Sequence, residues 1–184
     1  MSKFTIHTTE TSPNETKSLL EGVKSAMSFV PNLMGVMAES KPVLSSYLAL
    51  SDFFSKTSFT PIEQQVILLS VSQQNECGYC LAAHSMLARN IAKMDSGTIE
   101  KLKSGSSIAD PKLNALAEFT KKMVTSRGNP TEQDFSALFS HGYTQKHVLE
   151  VILGVAMKTL SNYVNHVAKT PIDEVFSKGL TQSK

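Results

Sequence analysis

The sequence has no tryptophan, only two cysteines and only two arginines in 184 residues. Two cysteines are too few for the disulfide framework of a small secreted domain, and a chain of this length can bury a core without such a framework. The net charge of +2 and the scarcity of arginine argue against a nucleic-acid partner. What remains is the composition of an ordinary globular protein, with 41% hydrophobic and 18% charged residues.

Long apolar segments are missing as well. No run approaches the roughly 18 apolar residues that mark a candidate transmembrane helix. The N-terminal residues MSKFTIH lack the apolar centre of a secretory signal. Two closely spaced cysteines in a chain without a visible signal are typical of a catalytic or redox pair. We therefore expect a cytoplasmic protein without a membrane partner.

Helix signals recur along the chain. Two capping boxes with proline at the first helical position, SPNE at residues 12–15 and TPIE at residues 60–63, each predict a helix start. A capping residue followed by proline at Asp110 predicts another, and no stretch alternates for long enough to be a strand. Without a glycine-rich linker or charge block, we expect a flexible polar arm over residues 1–11. One all-α domain of about eight helices should then cover residues 12–184.

Both cysteines lie in the segment NECGYCLAAH, residues 75–84. At about 100° per residue, a helix places Cys80 roughly 60° from Cys77, with His84 between them on the same face. The leucine and alanines after Cys80 favour a helix that begins near Gly78. Its first turn would then hold the cysteines, where free N–H groups and the helix dipole favour a thiolate. This pattern predicts a reactive dithiol with a histidine in reach of the second sulfur.

Other interpretations of the motif remain open. The cysteines could be inert, buried small residues, and His84 could be a structural histidine. Two cysteines and a histidine could also bind zinc, but a closed structural site needs four protein ligands and no second cluster supplies the fourth. A thioredoxin-like fold would need a strand before the motif, whereas residues 66–74 have the pattern of a helix.

The motif at residues 77–84, preceded by the helical segment 64–73, resembles the alkylhydroperoxidase D-like (AhpD-like) proteins of the carboxymuconolactone decarboxylase superfamily. Residues 30–33 and 162–168 are similar to the peroxidase-related branch, so the resemblance covers about residues 28–176. It implies an AhpD-like all-α fold with the Cys-x-x-Cys at the start of a central helix. It also implies a homo-oligomer, a trimer or a hexamer built from trimers.

The resemblance further implies an antioxidant hydroperoxide reductase that needs no cofactor. In this reading Cys80 is the peroxidatic cysteine, Cys77 the resolving one, and His84 moves protons between thiols and peroxide. The Cys77–Cys80 disulfide would be reduced by a lipoyl- or thioredoxin-like dithiol donor. A thiolate that attacks a peroxide becomes a sulfenic acid, which a second thiol converts to a disulfide.

One position departs from the family pattern. Members closest to the founding peroxidase carry a glutamate twelve positions before the first cysteine, and here that position is Gln65. A neutral amide can orient a histidine but cannot accept a proton at ordinary pH. Glu63 and Glu76 are candidate substitutes, although Glu63 is also the expected third residue of a capping box. We therefore expect peroxidase activity to be weak.

Two further functions stay open. The protein could be a redox-sensing or interaction protein that keeps the dithiol but turns over little peroxide. A carboxymuconolactone decarboxylase-like activity is less expected, because the Cys-x-x-Cys is foreign to that reaction.

Overall fold

The computed structural model describes residues 4–177. Ten helices and no strand occur in that range: α1 (Asn14–Met27), α2 (Asn32–Met37), α3 (Lys41–Ser55), α4 (Pro61–Gln74), α5 (Gly78–Asn90), α6 (Ser96–Ser104), α7 (Pro111–Thr125), α8 (Glu132–Ser140), α9 (Gln145–Ala168) and α10 (Glu174–Ser177). The expected all-α class is confirmed. The count exceeds about eight partly because α10 is a single turn, too short to leave a periodic pattern in the sequence.

Two of the three predicted helix starts have the expected caps. Thr60 and Glu63 bond reciprocally at the start of α4, and Asp110 accepts a hydrogen bond from the backbone N–H of Leu113 at 3.0 Å in α7. The third start differs: Pro13 occupies the N-cap position of α1 and no side chain caps that helix. These local bonds fix where the helices begin, because they satisfy N–H groups that have no partner within the helix.

Helix α4 forms the centre of the molecule. It packs against α5, α6, α7 and α9, and its side chains are buried on every face over most of its length. A helix that is apolar all round belongs in a core rather than at a surface. The position of α4 therefore sets where α5 and α9, its neighbours in space, can lie.

Helix α9 approaches α3 and α4 closely at Gly154. A Cβ atom at this position would lie 2.7 Å from the Phe54 ring and 2.9 Å from Cγ2 of Ile67. The missing side chain lets α9 lie against the two helices, and the following turns of α9 then face the start of α5. None of the helices in residues 4–177 is both long enough and apolar enough to cross a membrane.

The N-terminal segment, for which we expected a flexible arm, contacts α2 through His7. The backbone N–H of His7 donates to the carbonyl of Gly35 at 3.1 Å, and its Nε2 lies 2.6 Å from a Glu39 carboxylate oxygen. A Cβ at Gly35 would lie 2.6 Å from the His7 carbonyl oxygen, so this approach also requires glycine. Residues 1–3 of the expected arm and 178–184 of the expected domain lie outside the described residues.

The close approach of α9 predicts that Gly154→Ala destabilises the protein. The added methyl group would overlap Phe54 and Ile67, and overpacking of this kind costs about 1–3 kcal/mol. Gly22→Ala is the matched control, because Gly22 lies in α1 with nothing within 4 Å of an added Cβ. That substitution should be neutral or stabilising by about 0.5–1 kcal/mol. Urea unfolding gives the free energy of unfolding of both variants, and equal stabilisation by the two alanines would contradict the predicted packing.

Candidate active site

The dithiol lies at the start of α5. Cys77 is the N-cap residue and Cys80 lies in the first turn, after a tight reversal in which Glu76 has a φ of +54°. Both residues are free cysteines, and each is 1% exposed. The predicted placement of the Cys-x-x-Cys at the start of a central helix is confirmed, and the sulfurs lie inside the protein rather than in an open cleft.

One face of α9 presents polar groups to these sulfurs. Asn165 Nδ2 donates to Cys80 Sγ at 3.3 Å and lies 3.8 Å from Cys77 Sγ. Ser161 Oγ lies 3.9 Å from Cys80 Sγ. Lys158 precedes Ser161 by one helical turn, and all three side chains are buried. The inward face of α9 therefore surrounds Cys80 with groups that favour its charged form.

A row of three side chains crosses from α4 through α5 to α9. His84 Nδ1 lies 3.0 Å from Gln65 Oε1, and His84 Nε2 lies 2.7 Å from Lys158 Nζ. An amide oxygen only accepts hydrogen bonds and an ammonium only donates them. His84 is therefore neutral, with its proton on Nδ1 donated to Gln65 and its free Nε2 accepting from Lys158.

The two thiols have opposite electrostatic environments. A hydrogen bond from Cys77 and the positive charge of Lys158 lower the pKa of Cys80 to about 5, against the opposing effect of burial. The hydrogen bond to Cys80, together with burial, raises the pKa of Cys77. At neutral pH Cys80 is thus a thiolate and Cys77 a thiol that donates to it.

The two nitrogen bases also differ. Burial, and then the charge of Lys158, hold the pKa of His84 well below its usual value. Burial is the largest single effect on Lys158 and works against its charged form. Negative charge at Cys80, Tyr47 and Cys77 and a hydrogen bond to Cys80 together outweigh this effect and raise the pKa of the lysine. The site therefore holds one buried ammonium and one buried thiolate, with a neutral imidazole bonded to the ammonium.

The structure brings Gln65, and neither candidate glutamate, into contact with His84. Glu63 remains in its capping box, where its carboxylate also accepts from Tyr143 Oη at 2.9 Å and pairs with Lys112 at 3.1 Å. Glu76 is exposed in the turn before α5. Both ring nitrogens of His84 are taken by an amide and an ammonium, so no carboxylate completes this row of side chains.

Sequence reasoning missed Lys158, Ser161 and Asn165 as site residues. A signal for Lys158 exists in the spacing: it follows the fully buried Val151 by seven residues and so falls on the inward face of α9. A lysine on a buried helical face is rarely left without a partner. The pattern therefore marks Lys158 as buried, although it does not name the partner.

The motif is also bonded to α2 and to the segment before α10. Tyr79 lies between the two cysteines in the sequence, and its hydroxyl donates to Asp173 at 2.5 Å and accepts from the backbone N–H of Leu33 at 3.3 Å. The Phe176 ring of α10 packs edge-on against the Tyr79 ring. The first turn of α5 is thereby fixed to α2 and to the segment that leads into α10.

A metal site has little support in this geometry. Within residues 4–177, no group of three or more histidine, cysteine, aspartate and glutamate side chains is arranged to hold a metal ion. His84, the third ligand that the zinc interpretation requires, is bonded at both nitrogens to other groups.

Comparisons with solved structures show that the overall fold is a known one. An uncharacterized peroxidase-related protein from Ralstonia eutropha JMP134, an alkylhydroperoxidase AhpD core, aligns with a TM-score of 0.83 and 22% identity over 95% of this chain and 94% of its own. An uncharacterized peroxidase-related protein from Silicibacter sp. TM1040 aligns with a TM-score of 0.78 and 22% identity, over 89% of this chain and 87% of its own. The debrominase Bmp8, solved as a variant with 2,3,4-tribromopyrrole, aligns with a TM-score of 0.79 and 15% identity, over 98% of each chain.

Sequence comparisons add nothing to this likeness: no family model matches the chain, and no curated protein matches it. At these identities the structural likeness shows the fold alone. The chain has the AhpD-like all-α fold, as its sequence predicted.

The hydrogen bond between the cysteines predicts how the pKa of Cys80 responds to substitution. In the wild type, thiolate absorbance near 240 nm should appear with a midpoint near pH 5. Cys77→Ala removes the donor, and a hydrogen bond to a charged group is worth about 1.5–3 kcal/mol, or about one to two pKa units. The midpoint should rise by that amount, whereas Cys77→Ser keeps a donor and should stay closer to the wild type. A wild-type midpoint near the ordinary thiol value of about 8.5 would contradict this electrostatic description.

Proposed function

We propose that this protein is a thiol-dependent hydroperoxide reductase that cycles through a Cys77–Cys80 disulfide. The observation that carries the proposal is the different setting of the two buried sulfurs: Cys80 Sγ accepts from Asn165 Nδ2 at 3.3 Å and lies 3.9 Å from Ser161 Oγ. The hydrogen bond from Cys77 and the charge of Lys158, together with these contacts, lower the pKa of Cys80, while the pKa of Cys77 is raised. A thiolate is the nucleophile that attacks peroxides and disulfides, and an adjacent thiol is the resolving group that such chemistry needs. The peroxidase-related proteins with the same fold support this class of reaction.

The cycle has three steps. The Cys80 thiolate attacks the O–O bond, becomes a sulfenic acid, and releases an alcohol once the leaving oxygen takes up a proton. Cys77 then attacks the Cys80 sulfur, which forms the disulfide and releases water. A dithiol donor finally reduces the disulfide by thiol exchange. The order is set by the pKa values, because Cys80 is the deprotonated partner at the start.

His84 acts in this cycle through Lys158. Its Nε2 accepts from the ammonium at 2.7 Å, and Gln65 holds the tautomer that leaves Nε2 free to do so. Proton transfer by His84, the role expected from the sequence, would then run through the lysine. Gln65 serves as an orienting group in place of a carboxylate.

The partners belong to the same proposal. The substrate is a hydroperoxide, the reductant a lipoyl- or thioredoxin-like dithiol, and the setting antioxidant defence in the cytoplasm. We also propose a homo-oligomer, a trimer or a hexamer built from trimers. The exposed apolar side chains of α9 support assembly: Leu149, Ile152, Tyr163 and Val167 are 44–68% exposed. Apolar side chains spaced along one helix commonly mark a contact surface.

Thiol-dependent reductive dehalogenation is a second candidate. The debrominase aligns over 98% of both chains in its tribromopyrrole complex and over 91% and 90% in its apo form, a coverage similar to that of the peroxidase-related proteins. The chemistry draws on the same two sulfurs: a carbon–bromine bond is replaced by carbon–hydrogen, bromide leaves, and the dithiol is oxidised to the disulfide. The structural likeness alone favours this candidate.

Turnover with excess dithiothreitol tests the first proposal. Pre-reduced protein should consume several equivalents of cumene hydroperoxide per chain, followed by peroxide assay and by mass spectrometry of free thiols. Cys80→Ser should abolish consumption, because it removes the nucleophile. Cys77→Ser should be oxidised to a sulfenic acid that dimedone traps, because no resolving thiol remains.

The alternatives give different results in the same assay. A single oxidation to the disulfide without further peroxide consumption would replace the peroxidase with a redox-sensing or interaction role. Bromide release from 2,3,4-tribromopyrrole in place of peroxide turnover would favour the dehalogenase. Turnover of a carboxymuconolactone that survives Cys80→Ser would instead indicate decarboxylase-like chemistry.

A further inference from the structure

Lys158 is fully buried at the centre of the molecule, with 1% of its surface exposed. Burying an unpaired ammonium costs several kcal/mol, so a charged lysine in this place requires a nearby negative charge. Its hydrogen-bond partner, His84 Nε2, is neutral and supplies no such charge. The counter-charge must therefore come from another group.

The charged groups on the neighbouring helices identify that partner. Helix α9 packs against α2, α3, α4, α5 and α7, and α2 carries no titratable side chain. Besides Cys77, Cys80 and His84, the titratable side chains on α3, α4, α5 and α7 are Lys41, Tyr47, Asp52, Glu63, Tyr79, Arg89, Lys112, Glu118, Lys121 and Lys122. Helix α9 itself carries, besides Lys158, the titratable side chains Lys146, His147, Glu150, Tyr163 and His166.

Each carboxylate in this set has a lysine partner of its own. Asp52 pairs with Lys56, Glu63 with Lys112, Glu118 with Lys121, and Glu150 with Lys146. Tyr47 and the two cysteines are the groups whose negative charge would act on Lys158, and Cys80 acts most strongly. In the described part of the chain, the charge that stabilises the Lys158 ammonium is thus the Cys80 thiolate.

We propose that Lys158 is the proton carrier of the dithiol, charged while Cys80 is a thiolate and neutral once the Cys77–Cys80 disulfide has formed. The inference rests on the disulfide cycle of the proposed function. Oxidation removes the thiolate that offsets the buried charge, so the ammonium loses its counter-charge in the same step. Lys158 contacts His84 directly, and it acts on the reacting sulfur through its charge and through a hydrogen bond to Cys80.

The cycle then balances in atoms and electrons. When the Cys80 thiolate forms its S–O bond and the O–O bond breaks, two electrons pass from sulfur to the peroxide, and the leaving alkoxide takes a proton from Lys158. Neutral Lys158 next accepts the proton of the Cys77 thiol. The Cys77 thiolate attacks the Cys80 sulfur, and the departing hydroxide takes that proton from Lys158 to become water. The products are an alcohol, water, the disulfide and a neutral lysine.

Reduction must therefore return two protons with two electrons, one to Cys77 and one to Lys158. An ordinary thiolate–thiol pair beside a permanently charged group would take up only one. This difference can be measured without any peroxide, so it is independent of whether the protein is a peroxidase.

The pH dependence of the equilibrium constant between the protein and dithiothreitol reports how many protons the protein takes up on reduction. The useful range lies between about pH 6 and 8, above the Cys80 pKa of about 5 and below the ordinary thiol value of about 8.5. Dithiothreitol releases two electrons and two protons in this range, so the wild-type equilibrium constant should not change with pH. If Lys158 keeps its charge in both states, the constant should instead rise tenfold per pH unit. Thiolate absorbance near 240 nm must accompany this result, to show that Cys80 is deprotonated throughout.

Lys158→Arg is the matched variant, because guanidinium keeps the positive charge but does not deprotonate in proteins. The reduced form of this variant should retain the Cys80 thiolate, and its equilibrium constant with dithiothreitol should rise tenfold per pH unit. Its oxidation by peroxide should slow by about 10²-fold or more, because the variant lacks the proton donor. Lys158→Met removes the charge, so the Cys80 midpoint should rise.

If the arginine does not fit the buried site, the pH dependence of the wild-type equilibrium with dithiothreitol is sufficient to test the proposal. If the equilibrium constant of the wild type with dithiothreitol rises tenfold per pH unit while the Cys80 thiolate is present, the proposal is overturned. A wild type without thiolate absorbance at pH 7 also overturns it. Failure of peroxide turnover with a pH-independent equilibrium would overturn only the peroxidase function, and leave Lys158 as the proton carrier of a redox-active dithiol.

Discussion

The pairing of a buried ammonium with a buried thiolate is the interaction on which the site depends. Together with burial, the ammonium keeps His84 neutral, and the thiolate favours the protonated form of Cys77. Each member stabilises the charge of the other, and removing one partner of a buried pair commonly costs about 3–5 kcal/mol. The pair joins α5 to α9, so it is also part of the packing around α4.

A neutral residue at position 65 fits a site that already contains the Lys158 ammonium. The lysine and the Cys80 thiolate leave the site with no net charge, and a neutral amide at position 65 preserves that balance. A glutamate there would add a second negative charge beside a thiolate that one ammonium already offsets. The amide therefore suits a site in which a lysine, rather than a carboxylate, is the group bonded to the histidine.

The sequence predicted the local features well and the long-range pairings poorly. The Thr60–Glu63 capping box and the dithiol at the start of α5 depend on neighbours within a few residues, so their spacing was enough to predict them. The contacts of Lys158 and Asn165 join residues 74 and 85 positions apart. Periodicity marks Lys158 as buried but cannot say which helix it faces. That depends on the close approach at Gly154, which is a property of the packed fold.

The position of Tyr79 has an optical consequence. The chain has four tyrosines and no tryptophan, so its near-ultraviolet absorption and emission come mainly from tyrosine. One of them, Tyr79, is located between the two cysteines in the sequence, and its hydroxyl is hydrogen-bonded to Asp173. A change in the first turn of α5 alters the surroundings of that ring directly, without tryptophan emission to mask it. Tyr79 is therefore an intrinsic optical probe of the turn that holds the two cysteines.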